Sequence, residues 1–238
     1  MKTALWWIRR DLRLSDNQAL AEALRQAGTV IPVFILDPKL LASDYVGPAR
    51  LAFLFDGLRT LDSKLREQGS RLILREGDPL EVLTTLCLES QAEGIFAEED
   101  YSPYARQRDQ KIALTLPLHL LPGITVFPAQ MLTKANGEPY TVFTPFSRMW
   151  RSLPASGRPL PAPERLPVVP ELPSLEIPGT PNQPLDHSFK AGEEQAQKRL
   201  NDFIDNGIFE YAMLRNRMDL EGTSQLSPYL RLGMLSAR

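Results

Sequence analysis

Three hydroxyl residues stand close together near the end of the chain: Thr223, Ser224 and Ser227, in the stretch "EGTSQLSPYLRLGMLSAR" (221–238). A glycine, hydroxyls and one polar residue ahead of an apolar run are how a helix N-terminus is written. The first turn of a helix offers free backbone N–H groups and a partial positive charge, so these hydroxyls would surround an anion with donors. A phosphate suits that chemistry. The plain alternative is an ordinary cap with a locally satisfied hydroxyl. A second group lies at the other end, where "WWIRRDLRLSDNQAL" (6–20) sets Arg9, Arg10 and Arg13 beside Asp11 and Asp16. These charges either pair with one another on a solvated loop or belong to a binding loop after a first strand.

The elements that must position these groups follow from hydrophobic periodicity. "TALWWI" (3–8) and "VIPVFIL" (30–36) read as buried strands. Between them a helix opens on a Ser15/Asp16 cap, turns Ala19, Leu20, Ala23, Leu24 and Ala27 to one face, and stops at Gly28. The unit repeats. A helix over 47–69 with Leu51, Leu54, Phe55, Leu58, Leu61 and Leu65 inward leads to the strand "RLILR" (71–75). A helix opened by Asp78 and Pro79 leads to "GIFAEE" (94–99), and a helix from Pro103 leads to "ITVFP" (124–128). The expected fold class is therefore α/β, a doubly wound five-stranded parallel sheet of Rossmann-like type with right-handed crossovers. Ligands of such sheets sit beyond the C-terminal strand ends, which makes the loops after Ile8, Leu36, Arg75 and Glu98 candidate positions. No G-x-G-x-x-G follows the first strand, so a dinucleotide held there in the usual way is not expected.

From Arg151 to Pro184 the character changes, with ten of the chain's 21 prolines and little periodicity, as in a long linker over a surface. After it, residues 192–216 read as helical, with Ala196, Leu200, Phe203 and Ile204 on one side. The expected division is 1–130, an α/β domain; 131–186, a linker; and 187–238, the start of an all-α domain. About 50 residues are few for an independent core, so the chain is expected to be truncated at Arg238.

Composition narrows the function classes. At 238 residues, 43% hydrophobic and with a formal charge of -2, the chain can bury a core but carries no general basic field. One cysteine, Cys87, excludes an internal disulfide, and His119 and His187 are too far apart for a metal motif, so no metal site is expected. The apolar run Ala4–Ile8 is too short for a signal or membrane segment; a soluble, monomeric, cytoplasmic protein is expected.

"WWIRRDLRLSDNQAL" closely resembles the start of the DNA photolyase and cryptochrome family. "REGDP" (75–79), "PYARQRD" (103–109), "YTVFTPFSRMW" (140–150), "GEEQAQKRLNDF" (192–203), Tyr211, Arg215 and the closing stretch continue the resemblance in order along the whole chain. It implies an α/β domain, a long connection and a helical FAD-binding domain. Tyr211, Thr223, Ser224, Gln225, Leu226 and Ser227 then match the part of the flavin site that holds the phosphates, and Arg215 resembles a phosphate-contacting arginine on DNA, with plain helix-surface charge as the alternative. Ile35, Leu36, Asp37, Arg50 and Asp100 match the lining of an antenna pocket in the deazaflavin-binding branch. "EEDYSPYARQRD" (98–109) is closer to that branch than to the methenyltetrahydrofolate branch. The alternative for Arg50 and Asp100 is a structural ion pair. The implied function is a cyclobutane-pyrimidine-dimer photolyase acting on UV-damaged DNA, with cryptochrome signalling and a self-standing α/β chromophore domain as rivals. No catalytic residue is expected in this chain, since the family's active-site glutamate, flavin-proximal asparagine and electron-transfer tryptophans lie beyond Arg238. Trp6 and Trp7 read as strand residues and Trp150 as an anchor for the linker. Residues 190–238 carry seven basic and seven acidic residues, so no basic DNA groove is visible there.

Overall fold

Two faces of one sheet are covered by different helices, and the alternation along the strands decides which side chain goes where. In this computed structural model, which describes residues 1–43, 46–179 and 189–238, the strands are β1 (Thr3–Ile8), β2 (Thr29–Leu36), β3 (Ile73–Glu76), β4 (Gly94–Glu98) and β5 (Leu118–Leu121). They are all parallel, in the order β3-β2-β1-β4-β5. Ala4, Trp6 and Ile8 of β1 face a core shared with helices α1 (Gln18–Gln26) and α3 (Pro48–Glu67). Leu5 and Trp7 face the core of helices α4 (Pro79–Ser90) and α5 (Pro103–Ala113). A strand buried on both faces needs a continuous apolar run, which is how β1 and β2 are written. The short helix α2 (Pro38–Leu41) follows β2 under an Asp37 cap.

Local details depart from the sequence reading. Asn17 caps α1, its carboxamide oxygen accepting from Leu20 N at 2.9 Å, while Asp16 stands at φ 50 with its carboxylate turned to other work. In α3, Leu51 and Leu54 are only partly buried, and Ala52 and Phe53 take the inner positions. The last strand is "LHLL" rather than "ITVFP". It is bounded by Pro117 and Pro122 and pairs with β4 from Ile95 to Glu98. The later segment instead supplies Phe127, which meets Trp150 edge-on with ring centroids 5.4 Å apart. Trp150 belongs to helix α6 (Phe143–Ser152), an element inside the expected linker.

The proline-rich stretch is a strap over the sheet's free edge. Leu175 N donates to Leu74 O and Leu74 N to Ser174 Oγ, both at 2.9 Å, so the outward backbone groups of Leu74 on edge strand β3 are occupied. Leu166 N donates to Gln68 O at 2.9 Å, and Leu166, Val169 and Leu172 are buried pegs.

Beyond the strap, helix α7 (Glu193–Asn206) ends at Gly207, then a turn leads to α8 (Tyr211–Leu214), so the single long helix expected there is two. Ala196 is buried, but Ile204 is 43% exposed. His187, and the boundary expected at 186/187, lie outside the described residues. Helix α9 (Ser227–Leu232) follows, and Leu226, Tyr229 and Met234 enter the α1/α3 core.

Candidate functional site

The strand order reverses its direction of travel between β1 and β4, and the crevice at that switch is where open sheets receive ligands. Here it is filled from within. The three arginines after β1 cross to the β4 side. Arg9 reaches Asp109 at 2.5 Å and also donates to Glu98 O; Arg10 reaches Asp100 at 3.4 Å; Arg13 reaches Glu98 at 2.8 Å. None of these is the local pairing with Asp11 or Asp16 that the spacing suggested. Asp11 accepts instead from Arg9 N, Asn17 Nδ2 and Trp6 Nε1.

Arg13 and Glu98 are both 1% exposed. The desolvation of such a pair is offset by the partners its remaining donors and acceptors find. Arg13 also donates to the carbonyls of Asp16 and Gly233, and Glu98 accepts from Gln18 N, while Arg13 Nε is buried without a partner among the described residues. Burial, with the Asp11 charge nearby, pushes the Glu98 carboxyl up to about 7 against the pull of Arg13.

The same loop fastens the chain's last segment. Leu12 N donates to Leu232 O at 3.1 Å, and Arg10 Nε to Arg231 O at 3.2 Å. Gly233 turns at φ 64 against this loop, and a Cβ there would collide with the Arg10 carbonyl, so the close approach requires glycine. Asp16 receives Ser236 Oγ, the Arg238 guanidinium and Leu160 N. Burial raises its carboxyl, but these hydrogen bonds outweigh it and hold the group below the usual range. One buried carboxylate therefore ties three distant segments together.

The residues expected at the antenna end gather only in part. Ile35, Leu36 and Asp37 are buried at the end of β2. The Asp37 carboxylate caps α2 through Lys39 N at 2.9 Å and accepts the Tyr104 hydroxyl. Burial and Asp37 together push the Tyr104 hydroxyl above its ordinary pKa. Asp100 accepts from Ser102 N at 2.9 Å and from Arg10. Burial raises its carboxyl, yet the Ser102 N–H and the charges of Arg10 and Arg9 hold it low. Arg50 is exposed on the first turn of α3 and lies within electrostatic reach of Arg231, whose own pKa is lowered by Arg10, by burial and by Arg50, with Asp100 pulling the other way. Arg10 and Arg231 thus both act on the Asp100 carboxylate, an arrangement of cations that suits an anionic ligand. Sequence reading missed Tyr104 and Arg231, although both stand inside stretches it singled out.

At the opposite side of α9 a cavity of about 500 Å³ opens between α7 and the segment before α9. Asp202 and Glu221 bring two carboxylates to its lining, and Thr223 and Ser224 line it with Lys190, Lys198, Arg199 and Asn206. These donors, rather than a helix first turn, make the anion-binding character: α9 has six residues and no side-chain cap bond. Gln225 stands at φ 51 and accepts from Arg199 at 2.9 Å. Leu226 is buried beneath the cavity wall and Ser227 is exposed. Tyr211 is 41% exposed on α8, its ring edge-on to Phe203 at 6.0 Å, and the exposed Arg215 lies over that ring. Among the described residues, no helix is long and apolar enough to cross a membrane.

Comparison with known proteins bears on all of this. The sequence matches the family described as DNA photolyase over residues 4–164. It is 40% identical over 241 residues to the deoxyribodipyrimidine photo-lyase of Thermus thermophilus, covering all of this chain and 53% of that one. A class III photolyase structure from Agrobacterium tumefaciens superposes with a TM-score of 0.88 at 31% identity, over 99% of this chain and 51% of that one. A cryptochrome structure from Synechocystis gives a TM-score of 0.89 at 25% identity, over 99% and 53% of the two chains. The chain spans about half the length of the curated photo-lyases it matches. With the sheet order, the filled switch crevice and the fastened helical segment all in place, the chain belongs to the DNA photolyase family.

Proposed function

We propose that this chain carries the antenna end and one wall of the flavin site of a deoxyribodipyrimidine photo-lyase, and that the whole activity is light-driven repair of cyclobutane pyrimidine dimers in UV-damaged DNA. The observation that carries the reading is the cavity in which Thr223 and Ser224 face Lys190, Lys198 and Arg199, on a segment fastened to the switch loop by the Gly233 turn. Two hydroxyls and three cations, in excess of the two carboxylates Asp202 and Glu221, suit a pyrophosphate, so the residues present fit FAD. When bound and fully reduced, FAD supplies the electron that opens the dimer ring.

What this chain's residues do is bind and orient. Lys198 and Arg199 offset phosphate charge, Thr223 and Ser224 donate hydrogen bonds, and Leu226 and Tyr229 anchor the wall in the core. Tyr211 and Ser227 complete the wall from α8 and α9, and Arg215 contacts a nucleic-acid phosphate. At the sheet end, Arg10 and Arg231 beside Asp100, with Arg50 on the first turn of α3, hold an anionic antenna against Ile35, Leu36 and Asp37. The Arg10 and Arg231 guanidiniums there favour an ionised deazaflavin over methenyltetrahydrofolate. The work is done in the cytoplasm, with residues 1–130, 131–186 and 187–238 as antenna domain, connection and start of the flavin domain. The likeness to a cryptochrome fold supports a second reading, a blue-light photoreceptor with the same flavin and no repair.

The test is the full-length gene product, co-expressed with a deazaflavin source and illuminated with dimer-containing DNA. Flavin and antenna absorption with loss of dimers is expected. Flavin absorption without dimer loss would transfer the assignment to the photoreceptor. Light-dependent repair by the 238-residue chain alone would overturn the placement of all catalytic residues outside it.

A further inference from the structure

The pair Asn-Gly occurs twice in the chain, at Asn136–Gly137 and at Asn206–Gly207. In such a pair the backbone can react with its own side chain. Glycine has no Cβ to shield its amide nitrogen, and attack by that nitrogen on the preceding carboxamide carbon closes a five-membered ring. The two pairs share this chemistry and differ in what the fold does to them.

Asn136 and Gly137 form the exposed tip of a tight turn. Lys134 N donates to Glu138 O at 2.8 Å and Gly137 N to Lys134 O at 2.9 Å, while Thr133 and Pro139 meet as an antiparallel bridge at its foot. Gly137 stands at φ 81 with open space where a Cβ would be. The Asn136 carboxamide oxygen accepts from Glu138 N at 3.1 Å. A donor on that oxygen stabilises the negative charge that collects there when a nucleophile adds to the carboxamide carbon. One backbone bond, Gly137 N to Lys134 O, has to open to free the nitrogen, and exposed turns open at little cost.

Asn206 ends α7 and is held at both reacting groups. Gly207 N, the nucleophile, donates to Phe203 O at 2.9 Å, and Asn206 Nδ2, the leaving group, donates to Asp202 O at 3.1 Å. A Cβ on Gly207 would lie 2.9 Å from the Phe203 ring, so the backbone is packed closely there. Reaction would have to unwind the last turn of the helix that lines the cavity of about 500 Å³.

We propose that Asn136 is a site of spontaneous imide and isoaspartate formation in the folded protein, and that the helical lock on Asn206 spares the cavity the same change. The Gly137 nitrogen gives its proton to hydroxide and bonds to Asn136 Cγ; the Cγ–Nδ2 bond breaks, and ammonia leaves with a proton returned by water. Water then opens the ring at either carbonyl. Breaking the bond to Cγ gives aspartate, and breaking the bond to the main-chain carbonyl carbon gives isoaspartate. The product adds a carboxylate beside Glu138 and, as isoaspartate, a methylene to the loop that the Lys134–Glu138 bond closes. At Asn206 the same product would join Asp202 and Glu221 as a third carboxylate on the cavity lining. The inference does not depend on which cofactor that cavity holds.

Peptide mapping of the 238-residue chain by chromatography and mass spectrometry, after incubation at pH 8 in buffer and in urea, tests it. In buffer, Asn136 should gain one mass unit, with isoaspartate in excess of aspartate. Its rate should exceed that of Asn206 by about tenfold, the worth of one further hydrogen bond. In urea, where neither turn nor helix remains, the two rates should converge. Gly137→Ala, on the exposed turn, should slow conversion at Asn136 about tenfold, because a Cβ shields the nitrogen. Equal rates at the two pairs in buffer, faster conversion at Asn206, an Asn136 that stays intact in buffer while the urea sample converts, or a rate unmoved by Gly137→Ala would each overturn the proposal.

Discussion

The sheet domain and the helical segment obey the same packing physics to different degrees of completion. In the sheet domain β1 is buried from Ala4 to Ile8, and its two faces close two separate cores. The helical segment sends Ala196, Leu226, Tyr229 and Met234 into the first of those cores yet leaves Phe209 91%, Met213 73% and Met218 102% exposed. A monomeric surface rarely gathers that much large apolar side chain within a few residues. The difference teaches that the segment is held on by a few fixed points rather than by a core of its own. Those points are Arg13, held by Glu98 and donating to the Gly233 carbonyl, the Gly233 turn and the Asp16 carboxylate.

Breaking the strongest point should have the largest effect. Glu98→Ala leaves the Arg13 charge buried without its partner and is expected to cost about 3–5 kcal/mol of unfolding free energy, read from urea transitions at pH 8. The pH dependence of the same group sharpens the assignment. Because the folded Glu98 carboxyl titrates near 7 rather than at its ordinary value of 4.5, the native state holds the extra proton between them. Its stabilising contribution is therefore complete below about pH 4.5 and is lost as the pH rises through 7. Glu98→Gln should flatten that decline. Asp16 and Asp100 act with the opposite sign, since their carboxyls are held low and their contribution is lost only as acid protonates them.

Gly233→Ala distinguishes the two regions directly. It should cost about 2 kcal/mol or more, and hydrogen exchange should quicken across residues 189–238 while β1, β2 and β4 keep their protection. Equal loss of protection in both regions would mean that the segment and the sheet form one cooperative unit. The smallest effect is expected at the exposed end: Phe209→Ser and Met218→Ser should each change stability by no more than about 0.5 kcal/mol. A larger loss there would show that the exposed side chains have a partner within the chain.

Much of the sheet domain was legible in the sequence because its signals are local. Apolar runs bounded by Gly28, Asp78 and Pro79 place β1, β2, α1 and α4 within a residue or two. β5 was misplaced because an edge strand with one neighbour needs little apolar weight, and the prolines on either side of "LHLL" were a better guide than the β-branched "ITVFP". The charges of the loop after β1 were legible as a feature but not in their partners. Arg9, Arg10 and Arg13 pair across 85–100 positions of sequence, a pairing that only the β1–β4 neighbour relation creates. Thr223 and Ser224 were singled out for their donors, whereas the cations that line the same cavity, Lys190, Lys198 and Arg199, come from α7 and the residues just before it and carry no mark in the closing stretch.

The strap over β3 has a consequence in time. Leu74 is made roughly a hundred residues before Ser174 and Leu175, the groups that occupy its backbone. At a synthesis rate of about 5–20 residues per second, the β3 edge waits about 5–20 s for its cover. During that interval a nascent sheet presents an open strand to any neighbouring chain, and the polysome is where this protein is most exposed to pairing with the wrong one.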